Sequence, residues 1–212
     1  MNCIFIGDFG TADEYQEKVA NSMKELINKH DIKFICGLGD NIYEHGVKTS
    51  NDIKFKTHFE IPYKDINIKF YQTLGNHDYG ENYGEDHPYF KYQIDYTNNS
   101  DKWYLPDRYY TFSKNFNGVN VDFFVLDTNI DLMNSEEIDE QLNYFIDKIS
   151  ESKADWKILY GHHTYRSTAG HGNAEKDLED FLNEIFNLGE IDIYMCGHDH
   201  TKQYIQKHFY KI

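Results

Sequence analysis

Ile32-Lys33-Phe34-Ile35-Cys36-Gly37-Leu38-Gly39-Asp40-Asn41-Ile42-Tyr43 decides how this chain is read. An apolar run short enough for one strand ends in glycine, and a carboxylate follows at once. Four other stretches share this grammar, in which an apolar run ends in glycine and a metal-capable side chain comes next. They are Gly7-Asp8-Phe9-Gly10, Gly75-Asn76-His77-Asp78, Gly161-His162-His163 and Gly197-His198-Asp199-His200. Glycine lets the backbone turn sharply and approach a ligand closely, so each stretch is expected to present its side chain at one rim of a sheet.

Around these stretches, short apolar runs alternate with helical patterns: Asn2 to Ile6, Glu14 to Asn28, Ile32 to Leu38. That rhythm of strand, helix and strand favours a parallel sheet, which binds ligands beyond the carboxyl ends of its strands. In the first helix Tyr15, Val19, Met23, Leu26 and Ile27 recur every three or four residues, so this stripe is expected to face the sheet while Glu17, Lys18 and Lys24 face water. The region from Tyr79 to Asp107 is weakly periodic and reads as loops over the rim. Tyr109 to Phe116 and Val119 to Leu126 flank Asn117-Gly118, a hairpin signal. Alternation then resumes, with helices near Glu136 to Ile149 and Glu175 to Leu188 and strands at Trp156 to Tyr160 and Ile191 to Cys196.

A chain of 212 residues suits one domain spanning 1–212, and no linker or repeat divides it. Aromatic residues make up 17% of it, enough to fill a core of large side chains. The net charge of -15 opposes binding to a phosphate backbone, which depends on Lys and Arg, so no nucleic-acid partner is expected. The same field repels anionic substrates unless bound cations reverse it locally. Cys3, Cys36 and Cys196 are odd in number and not closely paired, as buried thiols in a reducing compartment would be. Neither a signal peptide nor a membrane-spanning apolar stretch is read, which gives the expectation of a soluble, intracellular protein with no membrane partner.

One Gly-Asp or Gly-His turn alone is ordinary turn chemistry, but five at successive strand ends are hard to explain that way. The donors are oxygen and nitrogen without thiolate, which points from structural zinc toward catalytic ions. A dinuclear centre fits best, with Asp40 as the carboxylate shared by two ions that clamp an in-line displacement at phosphorus.

On these five stretches, with Gly46-Val47, Thr57 to Glu60, Leu126-Asp127-Thr128, Ser167 to Gly172 and Cys196 to Tyr204, the chain resembles the metallophosphoesterase (calcineurin-like) superfamily. Within it the likeness is to purple acid phosphatases of the small tartrate-resistant type, over nearly the whole chain. The resemblance implies an α/β fold, a four-layer αββα sandwich of two mixed β-sheets flanked by helices. It implies Asp8, Tyr43 and His200 at a ferric ion, Asp40 bridging, and Asn76, His162 and His198 at a second ion, Fe(II), Zn(II) or Mn(II). His77 and His171 match positions near the leaving group and are candidate acids, although His171, between Gly170 and Gly172, is also readable as a solvated loop residue. The implied reaction is hydrolysis of phosphate monoesters, on small molecules or phosphoproteins, by a metal-bound hydroxide.

His163 rivals His162, but neighbours on a strand point to opposite faces, so one of the two is expected to bind metal. His30, His45, His58, His87 and His208 match no ligand position. Asp78 and Asp199 read either as carboxylates that orient neighbouring ligands or as exposed turn residues; Asp127 and Thr128 read as serving the fold. At the first motif many phosphodiesterases and protein phosphatases of the superfamily resemble Asp-x-His, and here Gly10 replaces that histidine. Nor does an arginine follow the second motif, as it tends to in the superfamily's protein phosphatases. A phosphodiesterase or nucleotide hydrolase on the same scaffold is the alternative enzyme, and a catalytically silent metal-binding or interaction protein is the alternative of another class. Only 12 residues follow His200, with one strand expected over Thr201 to Tyr210; the second sheet is then shortened, and its open edge offers a route to an oligomer.

Overall fold

A computed structural model describes residues 2–80, 89–188 and 190–206. Two four-stranded sheets lie face to face with helices outside, the expected sandwich. Among the described residues, however, only the second sheet is mixed, because the strands of the first are each joined by crossovers rather than by a hairpin. The first sheet takes β1 (Ile4–Ile6), β2 (Phe34–Gly37), β3 (Lys69–Gln72) and β4 (Trp103–Tyr104) in that order, parallel throughout. The second takes β5 (Tyr110–Phe116), β6 (Val119–Val125), β7 (Trp156–Tyr160) and β8 (Ile193–Met195). Its β5–β6 hairpin turns through Asn117 and Gly118, both at positive φ as such tight turns require, and makes this sheet mixed.

Side-chain alternation along the strands of the second sheet builds the layers. Val121, Phe123, Val125, Ile158 and Tyr160 join the core shared with the first sheet, whereas Phe124, Leu126 and Leu159 pack with α3 (Ser135–Glu151) and α4 (Lys176–Asn187). Phe34 of β2 bridges the seam, its ring 6.0 Å from Phe112 and 5.5 Å from Phe123, both edge-on. Buried hydroxyls tie the layers further: Tyr160 donates to the Tyr71 carbonyl and Tyr110 to that of Gln72.

The first helix, α1 (Glu14–His30), corrects the expected stripe. It buries Gln16, Ala20 and Met23, while Tyr15, Val19 and Leu26 stay 67%, 46% and 45% exposed. The face has rotated by one position because Gln16 is needed inside. Its amide donates to the His58 carbonyl at 2.6 Å and accepts from the Ala12 N–H at 2.8 Å, so burying it satisfies groups that an apolar residue would leave unpaired.

The middle region is also more ordered than expected for rim loops. Among its described residues it holds the short α2 (Phe90–Tyr96) and β4. Sheet order places β8 at an edge of the second sheet, and residues 201–206 form no strand; the remainder of the strand expected to Tyr210 lies outside the described residues. Among the described residues no helix is long and apolar enough to cross a membrane.

Candidate metal centre

The rim formed by the strand ends carries the candidate ligands. Asp8, Asp40 and Asn76 follow β1, β2 and β3 of the first sheet, and His162, His198 and His200 follow β7 and β8 of the second. Of seven non-glycine residues at positive φ among the described residues, four are candidate ligands: Asp8 (57°), Asp40 (51°), His198 (72°) and His200 (49°). Such backbone costs about 1–3 kcal/mol per residue and persists where surrounding structure enforces it, commonly at functional sites. The sharp turn expected of the glycines is thus taken mostly by the ligand residues themselves. Glycine is needed for space: a Cβ on Gly75 would stand 2.1 Å from Asp40 Oδ1.

Two groups of donors meet at Asp40. In the first, one ligand atom each of Asp8, Asp40 and His200 lies within 4.8 Å of the others. The Tyr43 hydroxyl joins them, 2.9 Å from Asp40 Oδ2, 3.2 Å from His200 Nε2 and 3.5 Å from Asp8 Oδ1. In the second, His162 Nε2 lies 3.1 Å from Asn76 Oδ1, 3.2 Å from His198 Nδ1 and 3.4 Å from Asp40 Oδ2. His162 is fully buried, and its Nδ1 is 2.8 Å from the Leu38 carbonyl, which can only accept. That contact keeps a hydrogen on Nδ1 and makes Nε2 the nitrogen that faces the cluster.

Electrostatics ask for a cation here. The carboxylates of Asp8 and Asp40 are 10% and 3% exposed, and their ion-pair partners among the described residues are histidines, with no Lys or Arg. Burial, opposed in part by His162, raises the Asp8 carboxyl, and the charge of Asp40 raises it further. Burial would also raise Asp40, but the hydrogen bond and charge of His162 hold it below its ordinary range. Burial and the two carboxylates push the Tyr43 phenol well up. His162 rises to about 9 against the effect of its burial, through Asp40, and His198 falls to about 4 through burial and its histidine neighbours. Acceptors crowded without a permanent positive charge, all hard oxygens or imidazoles, fit divalent or trivalent ions.

The surrounding residues hold this arrangement. Asp78 is fully buried and accepts from the N–H groups of Asn41 (3.0 Å), Ile42 (3.2 Å) and Gly75 (2.8 Å) and from Gln93 Nε2 (2.8 Å), so it fastens the loop bearing Asp40 to the turn bearing Asn76. Burial and the nearby Asp40 charge raise its carboxyl to about 6. Thr128 is drawn into the site: its Oγ1 accepts the N–H groups of His162 at 3.2 Å and His163 at 3.0 Å. Asp127 is held by Tyr79 and by Arg108, whose guanidinium also reaches Glu137 and whose role had no sequence signal.

His77 donates its backbone N–H to Asp40 Oδ1 at 3.0 Å, and its ring lies 4.7 Å from that of Tyr43, tilted by 54°. His171 lies over His198, ring centroids 4.1 Å apart. His163 corrects the expectation of opposite faces. Because it follows the end of β7, strand alternation no longer governs it, and its ring sits 4.6 Å from His198 and 5.1 Å from His162 on the same rim, with Nδ1 2.8 Å from Thr128 Oγ1. Of the histidines that match no ligand position, His58 puts Nδ1 2.8 Å from Thr57 Oγ1 and its carbonyl accepts from Gln16, the His30 carbonyl accepts from Asn2, and His87 and His208 lie outside the described residues. A cleft of about 370 Å³ adjoins the centre, lined by Asn76, His163, His171 and His198 and walled by Ile130 and Leu178.

The family model described as calcineurin-like phosphoesterase matches residues 1–202. Purple acid phosphatase 7 of Arabidopsis thaliana is 31% identical over 229 residues, covering 98% of this chain and 66% of that protein. Tartrate-resistant acid phosphatase type 5 of Rattus norvegicus is 30% identical over 231 residues, covering 97% and 68%. The chain spans 59 to 66% of the length of three Arabidopsis relatives. Among solved structures, GAP50, described as the anchor in the inner membrane complex of Plasmodium, superposes with a TM-score of 0.78 at 24% identity, covering 93% of this chain and 65% of that one. A purple acid phosphatase from yellow lupin seeds gives 0.65 at 17% identity, covering 92% and 37%. At these identities the two structures speak for the fold alone.

Proposed function

The chain belongs to the calcineurin-like phosphoesterase family, and on that premise we propose that it hydrolyses phosphate monoesters at a two-cation centre of the purple acid phosphatase kind. The observation that carries the proposal is Asp40 within reach of both donor groups at once. Asp8, Tyr43 and His200 would hold a ferric ion, Asn76, His162 and His198 an Fe(II), Zn(II) or Mn(II) ion, with Asp40 shared. Bound there, the ions supply a lowered pKa for water and neutralisation of phosphoryl charge.

The chain's own residues do the rest. Water adds to phosphorus as the bond to the ester oxygen breaks, and His171 or His77 delivers a proton to the departing alkoxide. His162, fixed by Leu38 and Thr128, and Asp40, fixed by the Asp78 hub, need not reorganise as charge develops, the kind of preorganisation on which such catalysis rests. Among the described residues no Lys or Arg lines the cleft to meet a second phosphate, which favours simple monoesters over nucleotides.

Protein loaded with iron and zinc is assayed on an aryl phosphate monoester and the matching diester across pH, with metal analysis alongside. Faster turnover of the monoester is expected, and Tyr43→Phe should lose the visible phenolate-to-iron absorption while keeping its fold. Preference for the diester would establish the phosphodiesterase alternative. Protein that binds both ions yet cleaves neither ester would be the silent metal-binding one.

A further inference from the structure

Asp199 stands in sequence between His198 and His200, yet its carboxylate is engaged elsewhere. Oδ1 accepts the backbone N–H of His171 at 2.7 Å, and Oδ2 accepts the Ser167 hydroxyl. Gln203, four residues on, extends the attachment: its Oε1 accepts the N–H and the hydroxyl of Thr168, both at 2.9 Å, and its Nε2 donates to Ser167 Oγ at 2.8 Å. Asp199 is buried, unlike an exposed turn residue.

The loop from Ser167 to His171 needs such an anchor. Gly170 and Gly172 flank His171, and an added Cβ at either would meet nothing within 4 Å, so side-chain packing at these two positions does not fix the histidine. Thr164 Oγ1 donates to the Gly172 carbonyl at 2.7 Å and the Ser167 N–H to Asn173 Oδ1 at 3.0 Å, which close the base of the loop, while the N–H of His171 itself goes to Asp199. The His171 ring nevertheless lies over His198, tilted by 33°, at the cleft that adjoins the candidate centre. We propose that Asp199 is a positioning residue that latches the 167–171 loop to the segment after β8 and thereby holds His171 where it protonates the leaving oxygen. The chemical half of this proposal rests on the phosphatase reading above; the latch itself does not.

Asp199→Ala and Asp199→Asn are compared with the metal-loaded wild type on an alkyl phosphate, whose alkoxide must be protonated, and on 2,4-dinitrophenyl phosphate, whose phenolate leaves without a proton. Asp199→Ala should lower turnover of the alkyl ester by about tenfold or more while dinitrophenyl turnover stays within about twofold, as loss of a placed proton donor requires. Metal content should be unchanged, and Asp199→Asn, which keeps an acceptor for the His171 N–H, should recover most of the loss. Hydrogen exchange of the 167–173 backbone should quicken in Asp199→Ala. Equal losses on both esters, or no loss on the alkyl ester, would overturn the positioning role. Wild-type protein inactive on every monoester would sink the phosphatase reading alone, and unchanged exchange in Asp199→Ala would sink the latch.

Discussion

Gly75→Ala isolates how tightly the shared carboxylate is held. The backbone of Gly75, at φ -102 and ψ 177, suits any residue, so the substitution brings no conformational strain of its own. Space is the obstacle: the new Cβ would stand 2.1 Å from Asp40 Oδ1 and 2.3 Å from Asp40 N, and real Cβ atoms essentially never come under 3.0 Å, so Asp40 must withdraw by 0.9 Å, the difference between 3.0 and 2.1. Overpacking of this kind costs about 1–3 kcal/mol, equivalent to a fall of about 2–12 °C in Tm for a domain of this size. A displacement near 1 Å in a positioned group lowers turnover about 100-fold. Steady-state kinetics on an aryl monoester, thermal melting and metal analysis of one preparation measure all three. A folded variant with wild-type turnover and full metal content would refute the idea that Asp40 has no room to move.

Arg108→Ala leaves the buried Asp127 carboxylate without its cation and also releases Glu137, so a loss of about 3–5 kcal/mol is expected. Chemical denaturation measures it, and a loss under about 1 kcal/mol, the value of an exposed pair, would contradict the assignment. His162→Ala and His163→Ala should part company despite being neighbours. The first should lose metal, the second retain it, since it is His162 Nε2 that lies 3.1, 3.2 and 3.4 Å from Asn76 Oδ1, His198 Nδ1 and Asp40 Oδ2; equal metal loss in both, read by elemental analysis, would make His163 a ligand.

What was readable in the sequence was local. A strand that ends in glycine and a polar donor carries its signal within about ten residues, as does Asn117-Gly118, and parallel neighbours bring such ends to one rim without further information. What escaped depends on partners distant in the chain. Gln16 is buried because the His58 carbonyl, 42 residues away, needs its amide, and periodicity counts it as polar. Arg108 answers to Asp127, Glu137 and Tyr79 at once. Asp78 and Asp199 grip backbone N–H groups of other loops, and a main-chain donor leaves no trace in residue type. The placement of His163 turned on where β7 stops, an element boundary that pattern alone leaves open by a residue or two.

The candidate centre also has a thermodynamic side, which follows from its position astride the seam. Asp8, Asp40 and Asn76 belong to one sheet and His162, His198 and His200 to the other, so an occupied site is a rivet through both halves of the sandwich. Ions that bind the native chain and not the unfolded one add about 2.7 kcal/mol at a free concentration 100-fold above Kd. Melting temperature should therefore climb with added cation and drop on chelation, and the interlocking of the two layers becomes a gauge of occupancy that requires no substrate.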